Sequence, residues 1–464
     1  MFNANPILNT DSYKASHWVQ YPPQTQETFF YAESRGGVYD KTVFFGLQAI
    51  LKNDLRPVTH ADVDEAALLF AAHGEPFNEA GWRQIVDRHN GKLPVRIRAV
   101  PEGTVVPVHN ALYTVESTDP DAYWLPSYLE TILMRTWYTT TVATVSWQCK
   151  RVIRSYLKAT CDNPEQELPF KLHDFGARGV ASTEASAFGG MSHLVNFMGT
   201  DTVLGLVAAT RFYKAGMAGF SVPAAEHATI TPWGRENEVE AYRNMLKQFG
   251  REGGIVSVVS DSYDIYYAIS EHWGKTLRDD VIRSGATLVI RPDSGEPVEV
   301  VLKCLELIDE AFGSVVNSKG FKVLNHVRVL QGDGIDPTML ETILRASMNR
   351  GYSAENLVFG MGGGLLQKVN RDTQKFALKC SAACVGGEWV DVYKDPITDS
   401  GKRSKRGRLS LFRHREYGTF GTFRTDGQEV IPAGYDDAMV TVWEDGEFVN
   451  EWTFDQVRAN ANNP

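Results

Sequence analysis

Between residues 170 and 364 the chain repeats one texture, a short apolar run that stops abruptly at polar or glycine residues. The runs are KLHDFG (171–176), IVSVVSDS (255–262), TLVIRPDSG (287–295), VRVLQGDG (327–334) and LVFGMGGG (357–364). Unbroken apolar runs of this length, bounded by turn formers, predict strands buried on both faces. Between them, PVEVVLKCLELIDEAFG (297–313) and PTMLETILRASMNRG (337–351) carry apolar residues at helical spacing, open on Pro and close on Gly, which predicts helices. The loop aspartates Asp261, Asp293 and Asp333 follow one another at the length of a strand plus a crossover helix. Successive strands are therefore expected to be parallel, with these loops collected at one end of the sheet. A barrel and an open α/β layer both fit, and both place the active site at the carboxyl ends of the strands.

The flanks read differently. Residues 94–116 alternate like strands, while 122–137 put Leu125, Leu129, Ile132 and Leu133 on one helical face. After Ala377 the chain turns β-rich, and AMVTVWEDGEFVNEW (438–452) signals a hairpin around Asp445-Gly446. The expected organisation is a discontinuous, β-rich α+β outer domain, residues 1–165 and 376–464, around a central α/β domain, residues 166–375.

Composition narrows the functional classes. The 464 residues are 43% hydrophobic and 22% charged, ordinary globular usage with ample material for a core. A net charge of −10 argues against a chain built to coat nucleic acid or an anionic membrane, so a phosphate site has to be a local basic patch. Five cysteines without a CxxC pair, no signal-like N-terminus and no long apolar span point to a reducing, cytoplasmic location.

The candidate chemistry lies in the loops. Asp174, Asp261, Asp293 and Asp333 stand at strand ends, with Arg178, Arg291 and Arg371 close by in sequence. Carboxylates bind hydroxyls and Mg²⁺ and guanidinium forks bind phosphate oxygens, so the set suits a phosphorylated, hydroxylated substrate. For any one Asp, a helix cap is the commoner role; several at one sheet end favour function. MGGG (361–364) is either a tight turn or a nest of N–H groups for a phosphate. His227 sits in the small-residue loop SVPAAEHATITPWG beside Glu226, and no histidine pair has zinc-ligand spacing. KRSKRGR (402–408) is a solvated turn or, with Lys379 and Lys394, an anion-facing strand edge.

Taken together the motifs resemble one family. NTDSYKASHWVQYPP, KLHDFGARG, NFMGTDT, GFSVPAAEH, SVVSDSYDIY, RPDSG, QGDG, GGGLLQK, KDP and KRSKRGRLS stand in the order and spacing of the nicotinamide phosphoribosyltransferases, a type II phosphoribosyltransferase family. The resemblance implies an irregular β/α barrel with an outer domain. It implies transfer of the phosphoribosyl group of phosphoribosyl pyrophosphate to nicotinamide, with Mg²⁺ and stimulation by ATP hydrolysis, in a homodimer with interfacial active sites. Phe175 and Tyr13 of the partner subunit would sandwich the pyridine ring, with Asp201 and Arg291 on the carboxamide. Asp293, Gly332, Asp333, Gly362 and Gly363 would hold the ribose and its 5′-phosphate. Arg178, Arg371, Lys379 and, across the dimer, Arg35, Lys394 and Lys402 would hold diphosphate or ATP phosphates. His227 would be phosphorylated, oriented by Asp261. Ala177, Met361 and Ala377 depart from the vertebrate form of the family and alter the tunnel wall and phosphate contacts expected there.

The reaction agrees with the residues. Breaking the C1′–pyrophosphate bond leaves positive charge on the ribose and negative charge on the leaving group, which calls for carboxylates beside cations. The pyridine nitrogen is the nucleophile, so no Ser-His-Asp or cysteine device is needed. Two other readings compete: a nicotinate phosphoribosyltransferase, disfavoured because Asp201 would repel a carboxylate, and a catalytically silent interaction protein on the same fold.

Overall fold

Each apolar run becomes a strand. β1 (Leu172–Asp174), β2 (Gly199–Thr200), β3 (Ile255–Val259), β4 (Thr287–Arg291), β5 (Val327–Gln331) and β6 (Leu357–Met361) form one sheet in the order β2-β1-β6-β5-β4-β3. All five pairings are parallel. In this computed structural model, residues 5–398 and 403–462 are described. The sheet belongs to a unit made of Val145–Val207 and Gly216–Val369. The second unit comprises Met1–Thr144, Ala208–Ala215 and Asn370–Pro464. The sequence expectation set the divisions at 165/166 and 375/376 and did not place Ala208–Ala215 with the flanks.

Residues 220–224 join the two edges of the sheet. Phe220 bridges Gly199 of β2 and Ala224 bridges Ser257 of β3, both in parallel sense. The Thr200 N–H donates to the Phe220 carbonyl at 3.0 Å, and the Ser257 N–H to the Pro223 carbonyl at 2.9 Å. The curled sheet thus closes into an irregular barrel through a stretch that Pro223 keeps from being a regular strand. This closing segment carries no periodic signal, and it leads directly to His227.

The two faces of the strands are unlike. Val256, Val258, Leu288, Ile290, Val327, Val329, Leu357 and Phe359 are buried and form the outer core layer. The alternate set, including His173, Ser257, Val289, Arg328, Leu330 and Val358, lines a cavity of about 460 Å³ inside the barrel. Strands expected to be apolar on both faces therefore carry polar residues on the inner one. Two crossover helices match expectation: α1 (Pro297–Phe312) and α2 (Pro337–Asn349). Glu296 accepts from the Glu299 N–H at the start of α1, which ends at Gly313 with φ 75°. Buried Val301, Cys304, Leu305 and Ile308 form the core stripe of α1.

In the second unit, seven strands form an antiparallel sheet: Glu388–Asp391, Phe376–Val385, Thr25–Ser34, Ala111–Ser117, Val95–Ala99, Val440–Glu444 and Glu447–Phe448, in that spatial order. The pairing of Thr25–Ser34 with Phe376–Val385 ties the two ends of the chain into one sheet. The expected hairpin is present, with Asp445 and Gly446 both at positive φ, 49° and 85°, the conformation a two-residue turn requires. The stretch 122–137 is not one helix. It is broken into Leu125–Tyr128 and Glu130–Met134 before the helix Thr136–Thr160. Its carbonyls are taken by side chains: Thr10 Oγ1 donates to Tyr128 at 3.0 Å, and the Tyr113 hydroxyl donates to Leu133 at 2.9 Å. The four apolar residues are nevertheless all buried. Among the described residues no helix is long and apolar enough to cross a membrane.

Candidate active site

The loop aspartates are not helix caps. Glu296 caps α1, Asp336 caps α2 by accepting from the Thr338 and Met339 N–H groups, and Asp264 caps Ile265–Tyr267. Asp261, Asp293 and Asp333 are left at the carboxyl ends of β3, β4 and β5, which favours the functional reading of the set over capping.

Asp261 is the hub of this rim. His227 Nε2 lies 3.0 Å from its Oδ1, while Oδ2 accepts from the Asp293 N–H at 2.9 Å and the Ser294 hydroxyl at 2.6 Å. The Asp261 side chain is 4% exposed and that of His227 42%. A buried carboxylate acceptor places the imidazole proton on Nε2, so Nδ1 keeps the lone pair. Asp293 has its pKa raised, chiefly by burial and further by the Asp261 and Asp333 carboxylates, with Arg291 and His227 opposing. Five charged or titratable groups thus converge on one rim. The buried Nε of Arg291 has no hydrogen-bond partner among the described residues.

Phe175 follows β1 and its N–H donates to the Met361 carbonyl at 3.1 Å. Its ring lies across the glycines of the neighbouring strand ends. A Cβ on Gly360 would fall 2.0 Å from Phe175 Cε2, and one on Gly332 would fall 3.4 Å away. Asp201 follows β2 and its N–H donates to the Asp174 carbonyl at 3.0 Å, which ties its backbone to the residue that precedes Phe175. Ser221, in the closing segment, donates to Asp201 Oδ1 at 2.5 Å. Phe175 and Asp201 thus both attach to the carboxyl end of β1. Gly360, Ser221 and Ser294 were not singled out from sequence. Ser221 stands inside the GFSVPAAEH motif, and only barrel closure reveals its partner.

MGGG ends β6 and opens the short helix Gly363–Leu366. The Gly362 carbonyl accepts from Leu365 and Leu366, and the Gly363 carbonyl from Gln367 and Lys368. The N–H groups of Gly362, Gly363 and Gly364 precede those bonds, and the first N–H groups of a helix have no partner within it. Glycine is demanded here by space: a Cβ on Gly364 would lie 2.7 Å from the Ile335 carbonyl oxygen. Gln331 Nε2 donates to the Asp333 carbonyl at 2.8 Å and so shapes the Gly332–Asp333 loop. Arg178 is exposed after β1.

Tyr13, Arg35, Arg371, Lys379 and Lys394 belong to the second unit, and Lys402 lies outside the described residues. Within that unit Arg35 Nε donates to Glu33 Oε1 at 2.9 Å. Lys379 pairs in register with Tyr31 and has its pKa lowered, mainly by burial, with Glu130 opposing and Arg35, Lys394 and Lys14 adding to the fall. Lys379 and Lys394 form no ion pair among the described residues. The basic run downstream is engaged internally: Lys405 binds Glu33, Arg406 lies 3.8 Å from Asp391 and Arg408 lies 3.6 Å from Glu116. It is therefore less an anion-facing edge than its sequence suggests. Tyr13 is 54% exposed, its ring edge-on to His17.

Residues 170–444 match the nicotinate phosphoribosyltransferase family, and residues 5–97 match the N-terminal domain of nicotinamide phosphoribosyltransferase. A nicotinamide phosphoribosyltransferase of Xanthomonas campestris pv. campestris is 66% identical over 458 residues, 98% of either chain. The chain belongs to the nicotinamide phosphoribosyltransferase family. Another member, from Acinetobacter baylyi, is 32% identical over 98% of this chain and 97% of its own. Among solved structures, human nicotinic acid phosphoribosyltransferase superposes with a TM-score of 0.59 at 17% identity, over 98% of this chain and 93% of that one. A nicotinate-nucleotide pyrophosphorylase from Pyrococcus furiosus gives 0.62 at 15% identity, over 99% and 95%. These likenesses establish the fold, and the sequence relatives establish the nicotinamide branch of the family.

Proposed function

We propose that this chain transfers the phosphoribosyl group of phosphoribosyl pyrophosphate to nicotinamide, releasing nicotinamide mononucleotide and pyrophosphate, the salvage entry to NAD. The observation that carries the reading is the acidic Asp201, held by its N–H at the carbonyl of Asp174, the residue before Phe175, and by the Ser221 hydroxyl at its carboxylate. A carboxylate there accepts a hydrogen bond from a carboxamide NH₂ and repels a nicotinate carboxylate. With the pyridine on the Phe175 shelf and Arg291 toward the carboxamide oxygen, the ring nitrogen attacks C1′ as the bond to pyrophosphate breaks. Asp293, Asp333 and the N–H groups of Gly332, Gly362 and Gly363 hold the ribose and its 5′-phosphate; Arg178, Arg371, Lys379 and, across the dimer, Arg35, Lys394 and Lys402 serve the diphosphate and ATP phosphates.

Among the described residues no group of three or more His, Cys, Asp or Glu is arranged to hold a metal by itself. Asp261 is already occupied by His227, Asp293 and Ser294. The oxygen donors of Asp293 and Asp333 at the rim fit an Mg²⁺ carried in on diphosphate oxygens. Bound there, Mg²⁺ would neutralise charge on the departing pyrophosphate. The free Nδ1 of His227, with Nε2 held by Asp261, suits it to accept the γ-phosphoryl of ATP, which would couple ATP hydrolysis to synthesis. The working form we propose is a cytoplasmic homodimer in which Tyr13 of the partner subunit completes the ring sandwich.

Initial rates with nicotinamide and nicotinate, run in parallel with phosphoribosyl pyrophosphate and Mg²⁺, test the reading. Nicotinamide should be the preferred base by a wide margin in kcat/KM. Preference for nicotinate would overturn it.

A further inference from the structure

Asp174 ends β1 and is wholly buried. His173 lines the barrel cavity, so Asp174 points to the opposite side of the sheet, away from the substrate. Its register neighbours are Met361 on one side and Thr200 on the other.

Two hydrogen bonds leave this residue in different directions. Oδ1 accepts the Gly176 N–H at 2.7 Å, just past the Phe175 ring. The backbone carbonyl accepts the Asp201 N–H at 3.0 Å. Oδ2 and the Thr202 hydroxyl are both buried without a hydrogen-bond partner among the described residues, although Thr202 is near enough to favour the ionised carboxyl. The ring shelf is thus held by the Asp174 side chain, and the amide acceptor by its backbone.

We infer that Asp174 is a positioning residue for base recognition, setting the separation of the Phe175 ring from the Asp201 carboxylate without touching substrate. The inference rests on nicotinamide binding between those two groups. An aspartate that merely forms a turn needs only the bond to Gly176. Here that bond sets one wall of a site whose other wall is held by the Asp174 backbone and does not depend on the side chain. Removing the side chain leaves the Gly176 N–H buried and unpaired, so Gly176 and Phe175 shift to find a partner while Asp201 stays in place.

The test compares Asp174→Ala and Asp174→Asn in the full chain, measuring KM for nicotinamide, KM for phosphoribosyl pyrophosphate, the nicotinamide-to-nicotinate ratio of kcat/KM, and Tm. Asp174→Ala should raise KM for nicotinamide about tenfold and lower the ratio about fivefold, the loss expected for a displaced recognition element. KM for phosphoribosyl pyrophosphate should stay within about twofold. Asp174→Asn keeps the Oδ1 acceptor and should restore the nicotinamide values to within about twofold of the parent. If Asp174→Ala does not fold, Asp174→Ser, whose hydroxyl reaches the same N–H less well, should give an intermediate KM. An unchanged KM for nicotinamide in Asp174→Ala or Asp174→Ser, or a parallel rise in both KM values, would overturn the inference. A parent protein that does not turn over nicotinamide would instead overturn the reading of the base site, whatever the variants do.

Discussion

Gly360→Ala tests the aromatic shelf most directly, because the backbone tolerates alanine there and only the ring objects. Gly360 lies within β6 and is not among the glycines at positive φ. An alanine Cβ would lie 2.0 Å from Phe175 Cε2, 2.3 Å from Cδ2 and 2.9 Å from Cζ. Carbon atoms pack at about 3.5–4.0 Å, so the ring has to withdraw by roughly 1.5 Å. An off-rotamer ring costs about 0.5–1.5 kcal/mol, and overpacking a tight layer about 1–3 kcal/mol. The ring face that would stack on the pyridine tilts in the process, and a misplacement of about 1 Å costs on the order of 10²-fold in rate. Steady-state kinetics should therefore show kcat/KM for nicotinamide reduced roughly 30- to 100-fold, with KM for phosphoribosyl pyrophosphate little changed. Adding Phe175→Leu relieves the overlap, so the double variant should recover Tm without recovering base affinity. A Gly360→Ala protein with unchanged Tm and a nicotinamide KM within about twofold of the parent would refute the placement of Phe175 as the base shelf.

Asp201→Asn should cut the nicotinamide-to-nicotinate ratio of kcat/KM by about tenfold or more, since the repulsive charge goes while the shape stays; an unchanged ratio excludes Asp201 as the selector. His227→Ala should abolish ATP hydrolysis and ATP stimulation while slow ATP-independent synthesis persists, and a radiolabelled γ-phosphate should mark the parent with acid-labile phosphate and leave the variant unlabelled. Full stimulation in that variant would return His227 to a structural role. Burial pushes the Asp174 carboxyl up to about 6 from its ordinary 3.8. The folded state therefore binds this proton more tightly than the unfolded chain, and the stability it supplies is full below 3.8 and lost as pH rises through 6, about 3 kcal/mol at most. Urea midpoints should accordingly shift in favour of Asp174→Asn between pH 4 and pH 7.5; a constant offset would show that Asp174 does not titrate in that window. Mixing inactive Tyr13→Ala with inactive Asp293→Ala chains should restore activity in mixed dimers, and inactivity of dimers verified by mass would exclude a shared site.

Local chemistry alone determined much of this protein. Runs such as IVSVV and TLVIR become strands because β-branched residues pack well on a pleated surface, and α1 and α2 run from Pro to Gly because those residues start and stop helices. Parallel pairing followed from spacing, and with it the gathering of Asp261, Asp293 and Asp333 at one rim. Motif order carried the family resemblance, and with it Phe175, Asp201 and His227. Only the tertiary structure decided what those residues touch. Residues 220–224 close the barrel through backbone bonds to Thr200 and Ser257, and a segment broken by Pro223 advertises no period. The break of 122–137 depends on Thr10 and Tyr113, distant in the chain, claiming carbonyls that local helical bonds would have used. The link from Ser221 to Asp201 and the ring of Phe175 over Gly360 depend on how segments distant in sequence meet in the barrel. Register is set where the closed barrel satisfies backbone and core together, so these contacts exist only once distant segments have met.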